Sequence, residues 1–172
     1  MMGNVALWLA AMVFMFLEGA ILGALGIEQW SLQLGLIVVC YLGMRRDFES
    51  SAWLLAALLL PLEWTTGGPM GGYSLGAVVI FLLLRLVGSQ LEARWSAWKA
   101  MFCAIAVLLH HLVVAGYWLM FAPDSPIVTA IFATMFGAAF GAGIVSLPLG
   151  WLFARLESQF TPRDGTQGLS FG

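Results

Sequence analysis

Apolar residues come in long unbroken runs along this chain, and the polar residues collect in the short gaps between them. There is no alternation of apolar and polar positions, so the pattern is helical and not that of a membrane barrel. Six runs are predicted to be helices: residues 5–25, 27–44, 48 to about 62, 73–91, 98–121 and 127–156. A helix needs roughly 20 apolar residues to cross a bilayer, and most of the runs reach that length. The first has no basic residues before it and is too long for a signal-peptide core, so it is read as a retained helix. The expected fold is all-α, a single six-helix transmembrane bundle over residues 1–160, followed by a short disordered cytoplasmic tail at 161–172.

The third run differs from the others at its end. Pro61-Leu62-Glu63-Trp64-Thr65-Thr66-Gly67-Gly68-Pro69-Met70-Gly71-Gly72 packs two prolines and four glycines into one stretch. Proline lacks an N–H and clashes with the preceding turn, and glycine is conformationally loose. Trp53 and Trp64, if helical, are only about 16 Å apart, whereas Trp98 and Trp118 are about 30 Å apart, one hydrocarbon thickness. The third helix is therefore expected to be short, kinked at Pro61, or continued by non-helical chain at membrane depth. Such backbone must find partners inside the protein or lie at the water boundary. Any recognition by the chain is expected to involve this hinge, opened by the carboxylate of Glu63.

Charge placement fixes an orientation. Of the 7 basic residues, six fall in the gaps after runs two and four or at the C-terminal end: Arg45, Arg46, Arg94, Lys99, Arg155 and Arg163. The gaps after runs one, three and five hold none. By the positive-inside bias, the expectation is six crossings with both termini cytoplasmic. A charged fraction of 9% excludes an ordinary soluble domain, which carries about 25%. No gap is long enough for a separate soluble catalytic module. Cys40 and Cys103 lie inside apolar runs and are read as buried reduced thiols. Metal-ligand spacings, a phosphate loop and a basic aromatic patch for nucleic acid are all missing, so no metal, cofactor or nucleic acid is expected.

Small residues mark faces on which helices touch. Gly19 and Gly23 form a GxxxG in the first run, and Ala133, Gly137 and Gly141 repeat that spacing in the sixth. Packing within the chain is favoured over a partner-facing surface. The few intramembrane ionisable groups are functional candidates by default: Glu18, Glu63, Arg85, His110 and His111. Arg85 either snorkels to the headgroups or pairs with a carboxylate. The two histidines are adjacent and point about 100° apart, so they are not expected to face one site. A neutral hydrogen-bonded core histidine is favoured over a proton relay or ligand role. Gly72-Tyr73-Ser74-Leu75-Gly76 matches GxSxG, which with these histidines raises an intramembrane serine protease as a minor alternative.

Taken together, the run from about Leu36 to Leu91 resembles MreD, the multi-pass subunit of the bacterial rod-shape complex. An apolar helix ends in the basic turn Leu42-Gly43-Met44-Arg45-Arg46; a second ends in an acid, Glu63, before Gly67-Gly68-Pro69-Met70-Gly71 and a further apolar helix. The family often has aspartate where Glu63 stands, and a proline–aspartate pair where this chain has Ser31-Leu32-Gln33. Where His110 and His111 stand in the fifth helix, it often has an acidic residue. The resemblance implies a non-enzymatic bacterial inner-membrane subunit that binds the bitopic protein MreC and supports a RodA-type polymerase, its transpeptidase and MreB. It also implies a fold similar to the S-components of vitamin transporters, which keeps small-molecule binding open as the alternative. Glu63, Gly67, Gly68, Pro69, Gly71 and Gly72, with Arg85, His110 and His111, would then shape an outward groove for a partner helix, a peptide or lipid.

Overall fold

The computed structural model describes residues 2–25, 33–44, 47–66, 71–88 and 97–160, and these form six α-helices with no strand among them. In order they are α1 (Met2–Leu25), α2 (Leu34–Gly43), α3 (Phe48–Thr66), α4 (Gly72–Gly88), α5 (Ala97–Phe121) and α6 (Pro126–Phe160). Three contain segments long and apolar enough to cross a membrane: Asn4–Leu25, Ala97–Phe121 and Pro126–Leu156. The 161–172 tail lies outside the described residues.

The bundle is built around its shortest member. α2 has 10 residues and touches every other helix, and all but Leu34 of them are buried. At 1.5 Å per residue it is about 15 Å long, half of a hydrocarbon core. A continuous helix over 27–44 is therefore not what forms, since among the described residues the helix starts only at Leu34; residues 27–32 lie outside the described residues. Its apolar, β-branched sequence suits a core strut because neighbours cover every side. Phe153 of α6 seats against it, with its ring centroid 5.4 Å from Tyr41 and 6.1 Å from Phe14 of α1. Cys40 of α2 and Cys103 of α5 are both buried free thiols.

The third helix does not end at Pro61. α3 runs through Pro61 as one helix of 19 residues. Proline cannot donate to the carbonyl four residues back, which here belongs to Ala57. The indole Nε1–H of Trp8 on α1 donates to that carbonyl at 3.4 Å. The freed acceptor is thus satisfied from a neighbouring helix, which is how proline is accommodated in apolar surroundings. Two helix starts carry polar side chains that bond within the first turn. Asp47 precedes α3 and accepts from the Ser50 hydroxyl, while its carbonyl accepts from Ser51 at 2.6 Å. Ser125 precedes α6, its hydroxyl oxygen accepting from the Ile127 N–H at 3.3 Å, with Pro126 in the first helical position.

Glycine contacts reverse part of the expected packing. Nothing lies within 4 Å of a Cβ placed on Gly19 or Gly137, and Gly23 and Ala133 are exposed beside them. These faces point out of the bundle. Gly141 is half-buried. The close helix approaches are elsewhere: a Cβ on Gly43 would meet the Phe81 carbonyl of α4 at 3.1 Å, and one on Gly143 would meet Ala104 of α5 at 3.2 Å. GxxxG spacing says that two backbones can approach, not which pair does. Lys99, counted with the gap before the fifth helix, instead sits in the first turn of α5 and is buried.

Candidate functional site

Two carboxylates do the same job in two places. Glu18, in the last third of α1, accepts the backbone N–H groups of Gln33 at 2.7 Å and Leu34 at 2.8 Å through its two oxygens. Glu63, near the end of α3, accepts those of Gly71 at 3.2 Å and Ser74 at 2.6 Å. Each acid thereby closes the N-terminus of the helix that follows its own. The first N–H groups of a helix have no partner within it and carry the positive end of the macrodipole, so a carboxylate is the fitting cap. In apolar surroundings this matters more, because water is not there to substitute. Both caps sit on left-handed backbone: Gln33 has φ 50° and Gly71 has φ 108°. Gly71 suits that conformation for want of a Cβ; Gln33 is held in it by the bonds around it.

Gln33 is the junction of the site. Its carbonyl opens α2 by accepting from Leu36 at 2.8 Å and Ile37 at 3.2 Å. Its side-chain Nε2 lies 3.0 Å from His111 Nε2. The other His111 nitrogen, Nδ1, lies 2.8 Å from the Val107 carbonyl oxygen. A carbonyl only accepts, so Nδ1 carries the hydrogen and Nε2 takes one from the glutamine amide. The same argument fixes His110: its Nε2 lies 3.3 Å from the Tyr73 carbonyl oxygen and so donates. Gly76 makes that contact possible, since a Cβ there would come within 2.7 Å of His110 Cδ2.

These groups share a partly open cavity of about 200 Å³. Gln33 and Tyr73 form one wall, His110, His111 and Val114 of α5 the floor, and Ile127, Ile131 and Thr134 of α6 the far side. The histidines, expected to serve different surroundings, therefore both reach it, with ring centroids 6.1 Å apart and planes at 85°. Side chains 100° apart can straddle one hollow when it spans the gap between two neighbouring helix pairs. Both residues are buried and hydrogen-bonded, 2% and 5% exposed.

Other predicted residues stand apart. Arg85 lies at the opposite end of α4, its guanidinium 5.6 Å from the centre of the Phe48 ring, a cation–π contact and not part of the cavity. Gly72 packs against the ring of Tyr117. Gly67, Gly68 and Pro69 lie outside the described residues. Ser74 is not on the cavity wall, and His110 Nε2 is committed to a backbone carbonyl, so the GxSxG segment does not assemble a nucleophile with its base. Among the described residues, no group of three or more metal-ligating side chains converges. Sequence reading placed neither Gln33 nor Tyr73 in a site. The only signal for Gln33 is an amide immediately before an unbroken apolar run.

The fold and this buried polar centre define an all-helical protein of transmembrane character in which Glu18 and Glu63 cap the helices that follow their own. Comparison with family models, with curated proteins and with solved structures gives no match.

Proposed function

We propose that this chain is a non-enzymatic, multi-pass subunit of a bacterial inner membrane that docks a single-span partner of the MreC kind, as its resemblance to MreD implies. Through that partner it supports a RodA-type polymerase, its transpeptidase and MreB in peptidoglycan synthesis and cell shape. Both termini are cytoplasmic, and the polar centre opens toward the outer half of the membrane. One observation carries the docking role: the small-residue faces of α1 and α6 turn outward, with open space at Gly19 and Gly137. Faces of this kind let a partner backbone come close enough for dispersion and weak hydrogen bonds to hold it.

The same open space makes the test clean. A Cβ at either position finds open space among the described residues, so Gly19→Leu and Gly137→Leu are expected to keep the fold while blocking the close approach. The proposal predicts that co-purification with an MreC-like partner falls at least about tenfold, the equivalent of roughly 1.4 kcal/mol, and that rod cells round up. Undiminished partner recovery from both variants would remove this reading.

The cavity favours a second reading, a small-molecule-binding subunit similar to a transporter S-component. In that case a ligand co-purifies with the chain and an energising ATPase is required. The protease alternative receives no support from the geometry at Ser74.

A further inference from the structure

The two histidines are not equivalent as acceptors of a proton. In the arrangement described above, His110 carries its hydrogen on Nε2, toward the Tyr73 carbonyl at 3.3 Å, and His111 on Nδ1, toward the Val107 carbonyl at 2.8 Å. A further proton must go to the remaining lone pair, and the two lone pairs have different neighbours. That of His110, on Nδ1, is buried without a hydrogen-bond partner among the described residues, so an N–H formed there would meet no acceptor among them. That of His111, on Nε2, lies 3.0 Å from the side-chain amide of Gln33. An amide has a donor end and an acceptor end of nearly the same shape. Rotated by half a turn about its terminal bond, Gln33 offers Oε1 where it now offers Nε2–H, and neither the ring nor the backbone has to move.

The surroundings suit a cation at that position. Glu18 of α1 holds the N–H groups of Gln33 and Leu34, so a carboxylate bears on the same residue that contacts His111 and offsets the positive end of α2. The other titratable groups close by are His110 on the same helix, its ring centroid 6.1 Å away, and Tyr73 of α4, 5.8 Å from that of His110. Cys40 of α2 and Cys103 of α5 lie about two turns further along their helices. From α6, among the described residues, the cavity receives Thr134 and aliphatic side chains. Gln33 and His111 both line this partly open cavity, which gives water a route to them. We propose that His111 is a proton-binding site: Nε2 takes a proton from water, and the imidazolium is held between the Val107 carbonyl and Oε1 of a rotated Gln33, while His110 stays neutral. The charge of the polar centre rises by one. Because the Gln33 carbonyl opens α2 and its N–H is bonded to Glu18, the event is registered at the start of the buried helix. The proposal is independent of both the docking role and small-molecule binding.

The chain has only 2 histidines, so their side-chain nitrogens are separately observable. The full chain, labelled with ¹⁵N-histidine in phosphatidylcholine nanodiscs, is followed by NMR from about pH 8 to about pH 4.5. At the upper end the opposite tautomers tell the rings apart, Nδ1–H in His111 and Nε2–H in His110. On acidification His111 Nε2 is expected to move to the position of a protonated nitrogen, while His110 Nδ1 keeps that of an unprotonated one. Gln33→Leu removes the acceptor for the new N–H and is expected to lower the His111 midpoint by at least about one pH unit, a tenfold loss of proton affinity. Gln33→Glu places a charged acceptor there and is expected to raise the midpoint by at least about one unit. It also serves if the leucine variant does not fold. A His111 that stays neutral to the end of the titration, a His110 that takes the proton first or together with it, or a midpoint that neither folded Gln33 variant moves, overturns the proposal.

Discussion

Glu18 and Glu63 are the residues on which the local architecture turns, and each is worth testing alone. Glu18→Ala strips two N–H groups of their acceptor at the start of the buried helix. At about 1–3 kcal/mol for each orphaned group, the loss expected in a denaturation experiment is roughly 2–6 kcal/mol. Glu18→Gln keeps one acceptor oxygen and is expected to lose roughly half as much. Gly76→Ala tests the histidine: the added methyl must displace the His110 ring, and the Tyr73 bond with it. Overpacking of this kind costs about 1–3 kcal/mol, read as a lower midpoint of unfolding together with a shifted His110 nitrogen resonance. Composition could flag the acids and histidines, since ionisable groups are rare in apolar runs. It could not assign their partners: Glu18 and Gln33 are 15 residues apart, and Gln33 and His111 are 78 apart.

At the level of elements, the apolar runs told where helices lie, because the gaps between them hold the polar residues, glycine and proline. What the runs left hidden was helix length and continuity. Residues 27–44 read as one run in spite of Glu28, Gln29, Ser31 and Gln33, yet the helix starts at Leu34, where the distant Glu18 captures the first N–H groups. Pro61 reads as a breaker, yet α3 continues because Trp8, 49 residues before Ala57, takes the freed carbonyl. Both are tertiary compensations that local propensity cannot contain. Trp8→Phe keeps the aromatic bulk and removes the donor. It is expected to cost about 1–2 kcal/mol and to bend α3 at Pro61, measurable as a change in distance between spin labels near the two ends of that helix. The α2–α5 contact has its own check: Cys40 and Cys103, fully buried, are expected to resist a water-soluble maleimide until the chain is unfolded. Rapid labelling of the folded chain would mean that α2 is not the buried strut described above.

For the molecule as a whole, the internal packing of α2 and the exposure of α1 and α6 belong together. A core helix of 10 residues concentrates the close contacts at the centre, while Gly19, Gly23, Ala133 and Gly137 are left on the outside. The spacing of those residues was visible in the sequence, but its direction was not, because a small-residue face looks the same whether it turns in or out. Site-specific photocrosslinking in native membranes tests the docking role most directly, with p-benzoylphenylalanine at Gly19 or Gly137 and, as a control, at the exposed Leu86 of α4. The account predicts one MreC-like single-span protein captured from the two glycine positions and not from Leu86. Capture of lipid alone at all three positions, or of the same proteins equally from Leu86, would contradict it.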